Sequence, residues 1–284
     1  MLSILLLFFC ATPALAQQVG PARGVLLLGG GNLQDRAIFE RFVDLAGGPD
    51  AKIVVIPTAG GEAAYDDYWR GLSIFRKVGA RNLHLLHTYD RKEADTDAFA
   101  GALADARAVW FSGGRQWRLA DSYLNTKVHD ALWQLLDRGG IIGGSSAGAT
   151  IQGSYLARGD TKTNTIMMGD HVEGLALLKN TAVDQHLLQR NRQFDLIEII
   201  EAHPDLLGIG LDENTAILVR GDEFEVIGQS YVAIYDHNSM IDSGGQFYFL
   251  RPGDFFDLAT REGFRRVRSS VGLERVVSRP WSNR

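Results

Sequence analysis

Short apolar runs alternate with amphipathic segments through the first half of the chain, and this alternation constrains the fold more than any other feature of the sequence. The runs have the composition of strands buried on both faces, and the segments between them have the apolar spacing of helices. Such alternation predicts right-handed βαβ units, which build a parallel sheet with helices on both faces. The predicted strands are 25–29, 53–58, 83–88, 108–113 and 141–144, and the predicted helices are 34–46, 63–78, 95–104 and 126–137.

The pattern changes in the C-terminal third of the chain. Residues 208–236 contain short runs with a period of two and turns at Gly221 and Gly228, which predict antiparallel strands. We expect these strands to extend the same sheet or to form a layer that covers it, and we expect the charged tail from Glu262 onward to be peripheral. No linker-like stretch divides the chain, so residues 17–284 are predicted to form a single α/β hydrolase domain that is β-rich from about residue 208.

The first residues of the chain predict export. An apolar run ends at Pro13, and the triplet Ala14-Leu15-Ala16 that follows has the small first and third residues of a signal-peptidase site. We therefore expect residues 1–16 to be a signal peptide that is removed, and the mature protein to be secreted or periplasmic without membrane attachment. The alternative is a retained anchor, although the run is shorter than the roughly 20 residues that span a bilayer. The one cysteine, Cys10, lies in this segment, so no disulfide is expected in the mature chain.

Charge and histidine spacing argue against two classes of partner. The formal net charge of −5 at pH 7 argues against a nucleic-acid partner, because binding to phosphates needs a clustered basic surface. None of the seven histidines belongs to a ligand pair such as His-x-x-x-His, so the sequence predicts no metal site.

The strongest candidate for chemistry is the sequence IIGGSSAGAT at residues 141–150. Its predicted strand runs directly into a turn of small residues with Ser146 at the apex, flanked by Gly144 and Gly148 in the G-x-S-x-G spacing. Glycines at these positions permit a tight strand-to-helix turn, and the N–H groups at the start of the next helix can stabilise an oxyanion. Ser146 is therefore a candidate nucleophile. The alternative is a glycine turn with an incidental serine.

A serine nucleophile needs a base, and His186 is the histidine with the most suitable surroundings. It belongs to VDQHLLQRNRQFD, where Gln185, Arg190 and Arg192 cluster around it at the start of a helix predicted over 187–200. Such a cluster suits the wall of a binding site, and guanidinium groups suit the recognition of a carboxylate. An equally weighted alternative is a capping loop with solvated arginines.

Two acids are candidates for the group that orients the histidine in a triad. Asp160 ends the loop segment Ala-Arg-Gly-Asp, and Glu213 follows the strand-like run GIGLD. Spacing along the chain does not choose between them.

Four segments stand out when they are read together: FSGGRQ at 111–116, GGSSAGA at 143–149, VDQHLLQRNR at 183–192 and GIGLDENTA at 208–216. In this order they resemble the cyanophycinase family and the related aspartyl dipeptidases of the dipeptidase E type. The similarity extends from about Val25 to Asp236, which is most of the predicted mature chain. The serine and histidine segments together are more specific than either one alone.

The resemblance implies a class I glutamine amidotransferase-like (flavodoxin-like) fold. This α/β fold has a three-layer parallel-core sheet, here with an antiparallel β extension in the C-terminal third. The resemblance also implies that Ser146 is the nucleophile and His186 the base. It points to Asp160 as the orienting carboxylate, with Glu213 as the second choice.

The resemblance further implies roles for residues around the nucleophile. Backbone N–H groups of Ala147 and of Gly113 or Gly114 would form the oxyanion hole. The family forms dimers, which suggests a homodimer here as well. The positions that would line the substrate pocket are Gln116, Gln185, Arg190 and Arg192.

For function, the resemblance implies a secreted serine-type exopeptidase that needs no cofactor. Cyanophycin, a poly-aspartate backbone with arginine side branches, would be hydrolysed to β-Asp-Arg dipeptides. The family often has Asp at the position of Arg115, and this reversal of charge would alter the preference for a cationic branch. Two other functions stay open: an α-aspartyl dipeptidase or amidase on the same scaffold, and a catalytically inactive secreted binding protein.

Overall fold

Short strands and helices follow one another along the chain in the computed structural model, which describes residues 18–238 and 245–266. The strands are β1 (Val25–Gly29), β2 (Ile53–Ile56), β3 (Leu83–Leu85), β4 (Ala108–Phe111), β5 (Ile141–Ser145), β6 (Gly153–Tyr155), β7 (Leu178–Gln185), β8 (Leu207–Leu211), β9 (Thr215–Arg220), β10 (Glu223–Gly228), β11 (Val232–Asp236), β12 (Tyr248–Leu250), β13 (Phe255–Asp257) and β14 (Glu262–Phe264). The α-helices are α1 (Arg36–Ala46), α2 (Ser73–Lys77), α3 (Arg91–Ala94), α4 (Asp97–Ala100), α5 (Gln116–Tyr123), α6 (Lys127–Asp137), α7 (Ala147–Thr150) and α8 (Asp195–Ala202). Turns of 3₁₀ helix lie at Thr58–Gly60, Arg70–Leu72 and Gly101–Leu103.

The larger of two sheets has nine strands in the order β14-β13-β10-β9-β1-β5-β4-β2-β3. In this order, each strand from β1 through β5, β4 and β2 to β3 is parallel to the next. Each strand from β1 through β9, β10 and β13 to β14 is antiparallel to the next. The predicted α/β fold, with a parallel core and an antiparallel C-terminal extension, is confirmed. The tail that was expected to be peripheral supplies the edge strand β14, and residues 267–284 lie outside the described residues.

The second sheet has five strands in the order β12-β11-β8-β7-β6, and it corrects one prediction. The helix predicted over 187–200 begins at Asp195 and ends at Ala202, whereas the residues before His186 form strand β7. Lys179 and Asn180 near the start of β7 are polar. They interrupt the hydrophobic pattern, so the sequence does not indicate that the second half of this strand is buried. Because β7 lies between two other strands, its backbone groups are paired on both sides.

Apolar side chains fill both faces of the larger sheet and produce its layers. On one face, α1 and α2 bring Phe39, Phe42 and Phe75 against Trp110, with ring centroids 5.0 to 5.4 Å from the indole. The opposite face is covered by α5, α6 and the inner face of the second sheet, all within one continuous apolar core. Helix α8 covers the outer face of the second sheet. Two predicted helices are shorter than expected, since 63–78 and 95–104 each contain a 3₁₀ turn next to a short α-helix.

The carboxyl ends of β1, β5 and β4 lie side by side because these strands are parallel neighbours. Three loops follow these strands and border one crevice, at Gly29–Gly31, Ser112–Gly114 and Ser146. The part of the chain that the structure describes contains no helix of the length and hydrophobicity that a membrane crossing requires. The predicted signal peptide, residues 1–16, lies outside the described residues.

Candidate active site

Ser146 occupies a strained turn between β5 and α7. Its backbone has φ 55° and ψ −119°, a left-handed region that a serine rarely adopts. The two flanking glycines make this turn possible: a Cβ on Gly144 would lie 2.2 Å from the carbonyl oxygen of Gly148, and a Cβ on Gly148 would lie 2.1 Å from that of Phe111. The turn lifts the Ser146 side chain off the end of the sheet, as the G-x-S-x-G spacing predicts.

His186 reaches Ser146 across the crevice. It follows the last residue of β7, has φ 57°, and places its Nε2 atom 2.9 Å from the Ser146 hydroxyl oxygen. The imidazole is largely buried. The structure therefore brings together two side chains forty positions apart, at hydrogen-bond distance, as a serine nucleophile and its base require.

Glu213 completes the chain of hydrogen bonds, and Asp160 does not. The Nδ1 atom of His186 lies 2.5 Å from Oε1 of Glu213, which was the second choice. His186 is the first residue after β7 and Glu213 the second after β8, and these strands are parallel neighbours in which Gln185 is paired with Leu211. The register of these two strands thus places the carboxylate beside the ring.

Asp160, the first choice for the orienting acid, serves the structure of its own loop. Its Oδ1 atom accepts hydrogen bonds from the backbone N–H groups of Lys162 at 3.0 Å and Thr163 at 2.7 Å. Its carbonyl oxygen accepts a hydrogen bond from the guanidinium of Arg115 at 2.6 Å. A carboxylate that closes a tight turn in this way is not available to orient an imidazole.

The predicted oxyanion hole has suitable geometry around Ser146. Gly113 lies beside the nucleophile, since a Cβ added to it would be 3.7 Å from the Ser146 hydroxyl oxygen. Within the described residues, the N–H groups of Gly113, Gly114 and Ala147 donate to no other protein group. Free donors next to a serine, one of them at the start of α7, are what an oxyanion needs.

One glycine segment holds the three parts of the site in place. The carbonyl oxygens of Gly29, Gly30 and Gly31 accept hydrogen bonds from the backbone N–H groups of Ser146, His186 and Asn214, at 2.9, 2.8 and 3.1 Å respectively. Gly31 has φ 108°, and a Cβ there would lie 2.3 Å from the His186 ring. The loop after β1 therefore sets the separation of Ser146, His186 and Glu213.

Burial and charge favour a neutral His186 beside an ionised Glu213. Burial is the main cause that lowers the pKa of His186; the hydrogen bond to Glu213 opposes it, and the charges of Arg190 and Arg192 lower it further. Burial raises the pKa of Glu213, but hydrogen bonds from Asn32 and His186 outweigh this and leave that pKa below its ordinary value. A neutral imidazole can accept the serine proton near pH 7.

Three of the four residues predicted to line the substrate pocket are buried, and Arg190 is exposed. The Gln116 amide donates to the carbonyl oxygens of Ala157 and Arg158 at 2.7 and 2.9 Å, and its Oε1 atom has no partner among the described residues. Arg192 donates to the backbone and side-chain oxygens of Gln185 at 3.1 and 3.2 Å. Gln116, Gln185 and Arg192 together form a buried polar wall, and Gln185 is the residue that precedes His186.

Arg158 and Asn32 are residues that the sequence reasoning missed. Arg158 is buried in the polar wall, where it donates two hydrogen bonds to Asp184 at 2.8 and 3.0 Å and forms an ion pair with Asp195. Asn32 donates to Glu213 at 2.8 Å. A polar side chain immediately after a glycine loop at the end of β1 was the available signal for Asn32, whereas nothing in the sequence distinguishes Arg158 from a solvated arginine.

Arg115 binds the loop of Asp160. Its guanidinium donates to the carbonyl oxygens of Asp160 and Thr163, both at 2.6 Å. The positive charge of Arg115, which departs from the family pattern, thus binds residues 160–163 to the start of α5. Across the ranges 18–238 and 245–266, no group of three or more His, Cys, Asp or Glu side chains is placed to hold a metal ion.

Comparisons with known proteins show which family this chain resembles. The sequence profile of peptidase family S51 matches residues 25–227. A cyanophycinase of Geminocystis herdmanii is 34% identical over 224 residues, which cover 76% of this chain and 81% of that protein. A cyanophycinase of Trichormus variabilis is 34% identical over 219 residues, covering 75% of this chain and 73% of that protein.

Solved structures show the same fold at lower identity. A peptidase from an acI-B1 actinobacterium superposes with a TM-score of 0.63 at 24% identity, covering 85% of this chain and 98% of that one. A putative peptidase E protein from Listeria monocytogenes gives a TM-score of 0.51 at 19% identity, covering 74% and 100%. These structures confirm the predicted fold class, and the family match confirms the resemblance found in the sequence.

Proposed function

Because the chain belongs to peptidase family S51 and is a serine-type peptidase, we propose that Ser146, His186 and Glu213 form its catalytic triad and that its substrate is cyanophycin or a related aspartyl peptide. One observation carries the proposal. The Ser146 hydroxyl lies 2.9 Å from His186 Nε2, and His186 Nδ1 lies 2.5 Å from Glu213 Oε1. These two contacts form one relay of hydrogen bonds in a partly buried crevice. Nucleophile, base and orienting acid are recognised by this geometry rather than by their order in the chain.

In the acylation step, Ser146 Oγ attacks the carbonyl carbon of the substrate while His186 Nε2 takes the hydroxyl proton. Glu213 accepts a hydrogen bond from His186 Nδ1, which fixes the tautomer with a free Nε2 and stabilises the imidazolium that forms. The imidazolium then gives its proton to the leaving amine, and the C–N bond breaks. The product of this step is an acyl-enzyme on Ser146 with a neutral His186.

In the deacylation step, water attacks the acyl carbon while His186 Nε2 takes a proton from it. The ester C–O bond to Ser146 then breaks, the imidazolium returns its proton to Ser146 Oγ, and the carboxylic acid product leaves. Negative charge forms on the carbonyl oxygen in both steps. The N–H groups of Gly113 and Ala147 would donate hydrogen bonds to this oxygen, with Gly114 as a further donor, and their lack of another acceptor among the described residues supports this role. Donors aimed at this developing charge lower the activation barrier substantially, by roughly 3 to 4 kcal/mol for one donor.

The proposed substrate rests on the relatives and on the charges at the site. Relatives that are 34% identical are cyanophycinases, which supports release of β-Asp-Arg-like dipeptides by an exopeptidase. Arg190 lies one turn after His186, since its backbone N–H donates to the His186 carbonyl oxygen at 3.0 Å, and this exposed arginine would bind a carboxylate of an aspartyl residue. The polar wall of Gln116, Gln185 and Arg192 would form the floor of this binding site.

Location, domain organisation and assembly are part of the same proposal. Cleavage after Ala16 would deliver residues 17–284 as one domain, secreted or periplasmic, that acts as a homodimer without a cofactor. Amino-terminal sequencing of protein recovered from the periplasm or medium tests the cleavage site, and light scattering of the purified mature protein tests the dimer. Recovery of an uncleaved chain with the membrane fraction would contradict the proposed location.

The decisive experiment compares the mature protein with Ser146→Ala and with Ser145→Ala as a matched control. Each is incubated with cyanophycin and with α- and β-linked Asp-X peptides, and products are separated by chromatography. We expect β-Asp-Arg from the wild type and from Ser145→Ala, and a rate lower by roughly 10³ to 10⁶ for Ser146→Ala. Equal release by Ser146→Ala would refute the triad.

Two other experimental results would indicate a different function. Release of free aspartate from α-linked peptides, with cyanophycin left intact, would identify an α-aspartyl dipeptidase on the same triad. Tight binding of aspartyl peptides, without turnover and without reaction of Ser146 with a fluorophosphonate, would identify a binding protein that has lost its activity.

A further inference from the structure

The carboxylate of Glu213 is held at both oxygens. Its Oε1 atom lies 2.5 Å from His186 Nδ1, and its Oε2 atom accepts a hydrogen bond of 2.8 Å from the side-chain amide of Asn32. Glu213 is partly exposed, with 16% of its side-chain surface accessible. A glutamate side chain in that position has several rotamers that would withdraw it from the histidine. The second contact, from Asn32, therefore prolongs the hydrogen bond between Glu213 and His186.

Neighbouring groups fix the direction of the Asn32 amide. The side-chain amide of Gln34 donates to Asn32 Oδ1 at 3.2 Å, which leaves the Asn32 nitrogen to face Glu213. The segment itself is anchored from the other side, since Asn214 Oδ1 accepts hydrogen bonds from the backbone N–H groups of Gln34 at 2.9 Å and Asp35 at 2.6 Å. The loop after β1 and the loop after β8 are thus joined on both sides of the carboxylate.

The backbone explains why an asparagine can occupy this place. Asn32 has φ 41°, in a left-handed region that asparagine and glycine adopt more readily than other residues. The residue before it, Gly31, lies against the His186 ring. A short side chain that tolerates this backbone and ends in a donor can therefore reach Glu213 from the loop that borders the imidazole.

We propose that Asn32 is a positioning residue of the active site, which keeps Glu213 oriented and ionised so that His186 remains a competent base. This inference rests on the proposed function, because it assigns Asn32 to the triad of Ser146, His186 and Glu213. Asn32 itself touches neither the nucleophile nor the base through any described hydrogen bond, and it acts through Glu213. The charged groups that face the relay are Glu213, Arg190 and Arg192.

The test uses the rate at which a fluorophosphonate modifies Ser146, measured by intact mass against pH, because this reaction needs no knowledge of the substrate. Asn32→Gly removes the amide and keeps a residue that accepts a positive φ. Asn125→Gly is the matched control, since Asn125 also has positive φ, at 56°, and lies between α5 and α6. We expect a rate about 10-fold lower for Asn32→Gly and an unchanged rate for Asn125→Gly, by analogy with the loss of an orienting contact.

Asn32→Asp gives a second readout that a merely structural role would not produce. A carboxylate facing Glu213 adds negative charge near the ring, which stabilises the imidazolium and raises the pKa of His186. We expect the acid limb of the labelling profile to move to higher pH in Asn32→Asp, with a lower plateau. Thermal unfolding of each variant is recorded so that the rates refer to folded protein.

The outcomes separate this inference from the proposed function. Labelling of Ser146 at equal rates and with equal pH profiles in wild type, Asn32→Gly and Asn32→Asp would overturn the role of Asn32 and leave the triad standing. If the wild type is not labelled at Ser146, the proposed function fails and the role of Asn32 fails with it.

Discussion

Within the described residues, two histidines form hydrogen bonds with carboxylates, and they differ in what their surroundings allow them to do. His186 has Glu213 at one ring nitrogen and the Ser146 hydroxyl at the other. His171 has Asp121 at 2.7 Å from Nε2 and Asp170 at 3.1 Å from Nδ1. Burial and two arginines lower the pKa of His186. At His171 burial acts in the same direction, but the two carboxylates outweigh it and raise the pKa.

The comparison shows that a carboxylate partner does not by itself make a histidine a base. His186 keeps one nitrogen free for a hydroxyl, and its neutral form is favoured, so it can receive a proton near pH 7. Both nitrogens of His171 are engaged by acids, and its charged form is favoured, so it joins the segment around Asp170 to Asp121 of α5. The first is suited to chemistry and the second to holding a loop.

Alanine at each histidine tests this difference and has the largest expected effect. We expect His186→Ala to lower kcat by roughly 10³ to 10⁶, because the serine loses its base. His171→Ala should leave kcat within about threefold of wild type, with the loss confined to the stability of its loop. Steady-state hydrolysis of an aspartyl peptide measures the first effect, and thermal unfolding measures the second. Equal losses of kcat in the two variants would remove the distinction.

The two candidate acids, of which the resemblance favoured Asp160 and the structure places Glu213 beside His186, provide the next test. Glu213→Gln preserves shape and removes the charge that stabilises the imidazolium, so we expect kcat to fall by roughly 10² to 10⁴. Asp160→Asn keeps the oxygen that accepts from Lys162 and Thr163, so kcat should change little. A loss in Asp160→Asn that matches the loss in Glu213→Gln would contradict the assignment of Glu213 to the triad.

Two glycines with positive φ differ in the space around them and give a smaller effect. An alanine Cβ at Gly31 would lie 2.3 Å from the His186 ring, whereas nothing lies within 4 Å of a Cβ at Gly48, which has φ 95°. Both alanine variants should lose about 1 kcal/mol of stability from the backbone strain. Only Gly31→Ala should also lose activity, about 10- to 100-fold in kcat/KM, because the base is displaced. Equal activity in the two variants would argue against a role for the glycine loop.

The smallest effect is the difference in pKa between the histidines. His186 should titrate below 6.5 and His171 above it, as followed by NMR of the ring protons in Ser146→Ala. Activity needs neutral His186, so kcat/KM should rise with pH and reach half of its plateau below pH 6.5. An acid limb centred above 6.5 would show that the charged form of His186 is favoured, contrary to the effect of its burial.

The parallel core could be predicted from the sequence because its strands are continuous apolar runs buried on both faces. Ser146 could be predicted because glycines at 144 and 148 leave few alternatives for the turn. Strand β7 escaped detection, since it begins with polar residues and ends in the cluster that contains His186.

Because β7 was not predicted, the spacing along the chain could not decide whether Asp160 or Glu213 orients His186. The choice depends on β7 and β8 being parallel neighbours, in a register that places His186 and Glu213 at adjacent strand ends. Such a register is a long-range property that a local pattern does not carry. The contact of Asn32 with Glu213 depends on the same arrangement of loops.

The most direct measurement is to map the residue that a fluorophosphonate modifies, by peptide mass spectrometry of wild type and His186→Ala at pH 7. We expect one adduct, on residue 146, in the wild type, and a rate of adduct formation lower by at least about 100-fold in the variant, since the hydroxyl then has no base. An adduct on another serine, or undiminished labelling of residue 146 without the imidazole, would contradict this expectation.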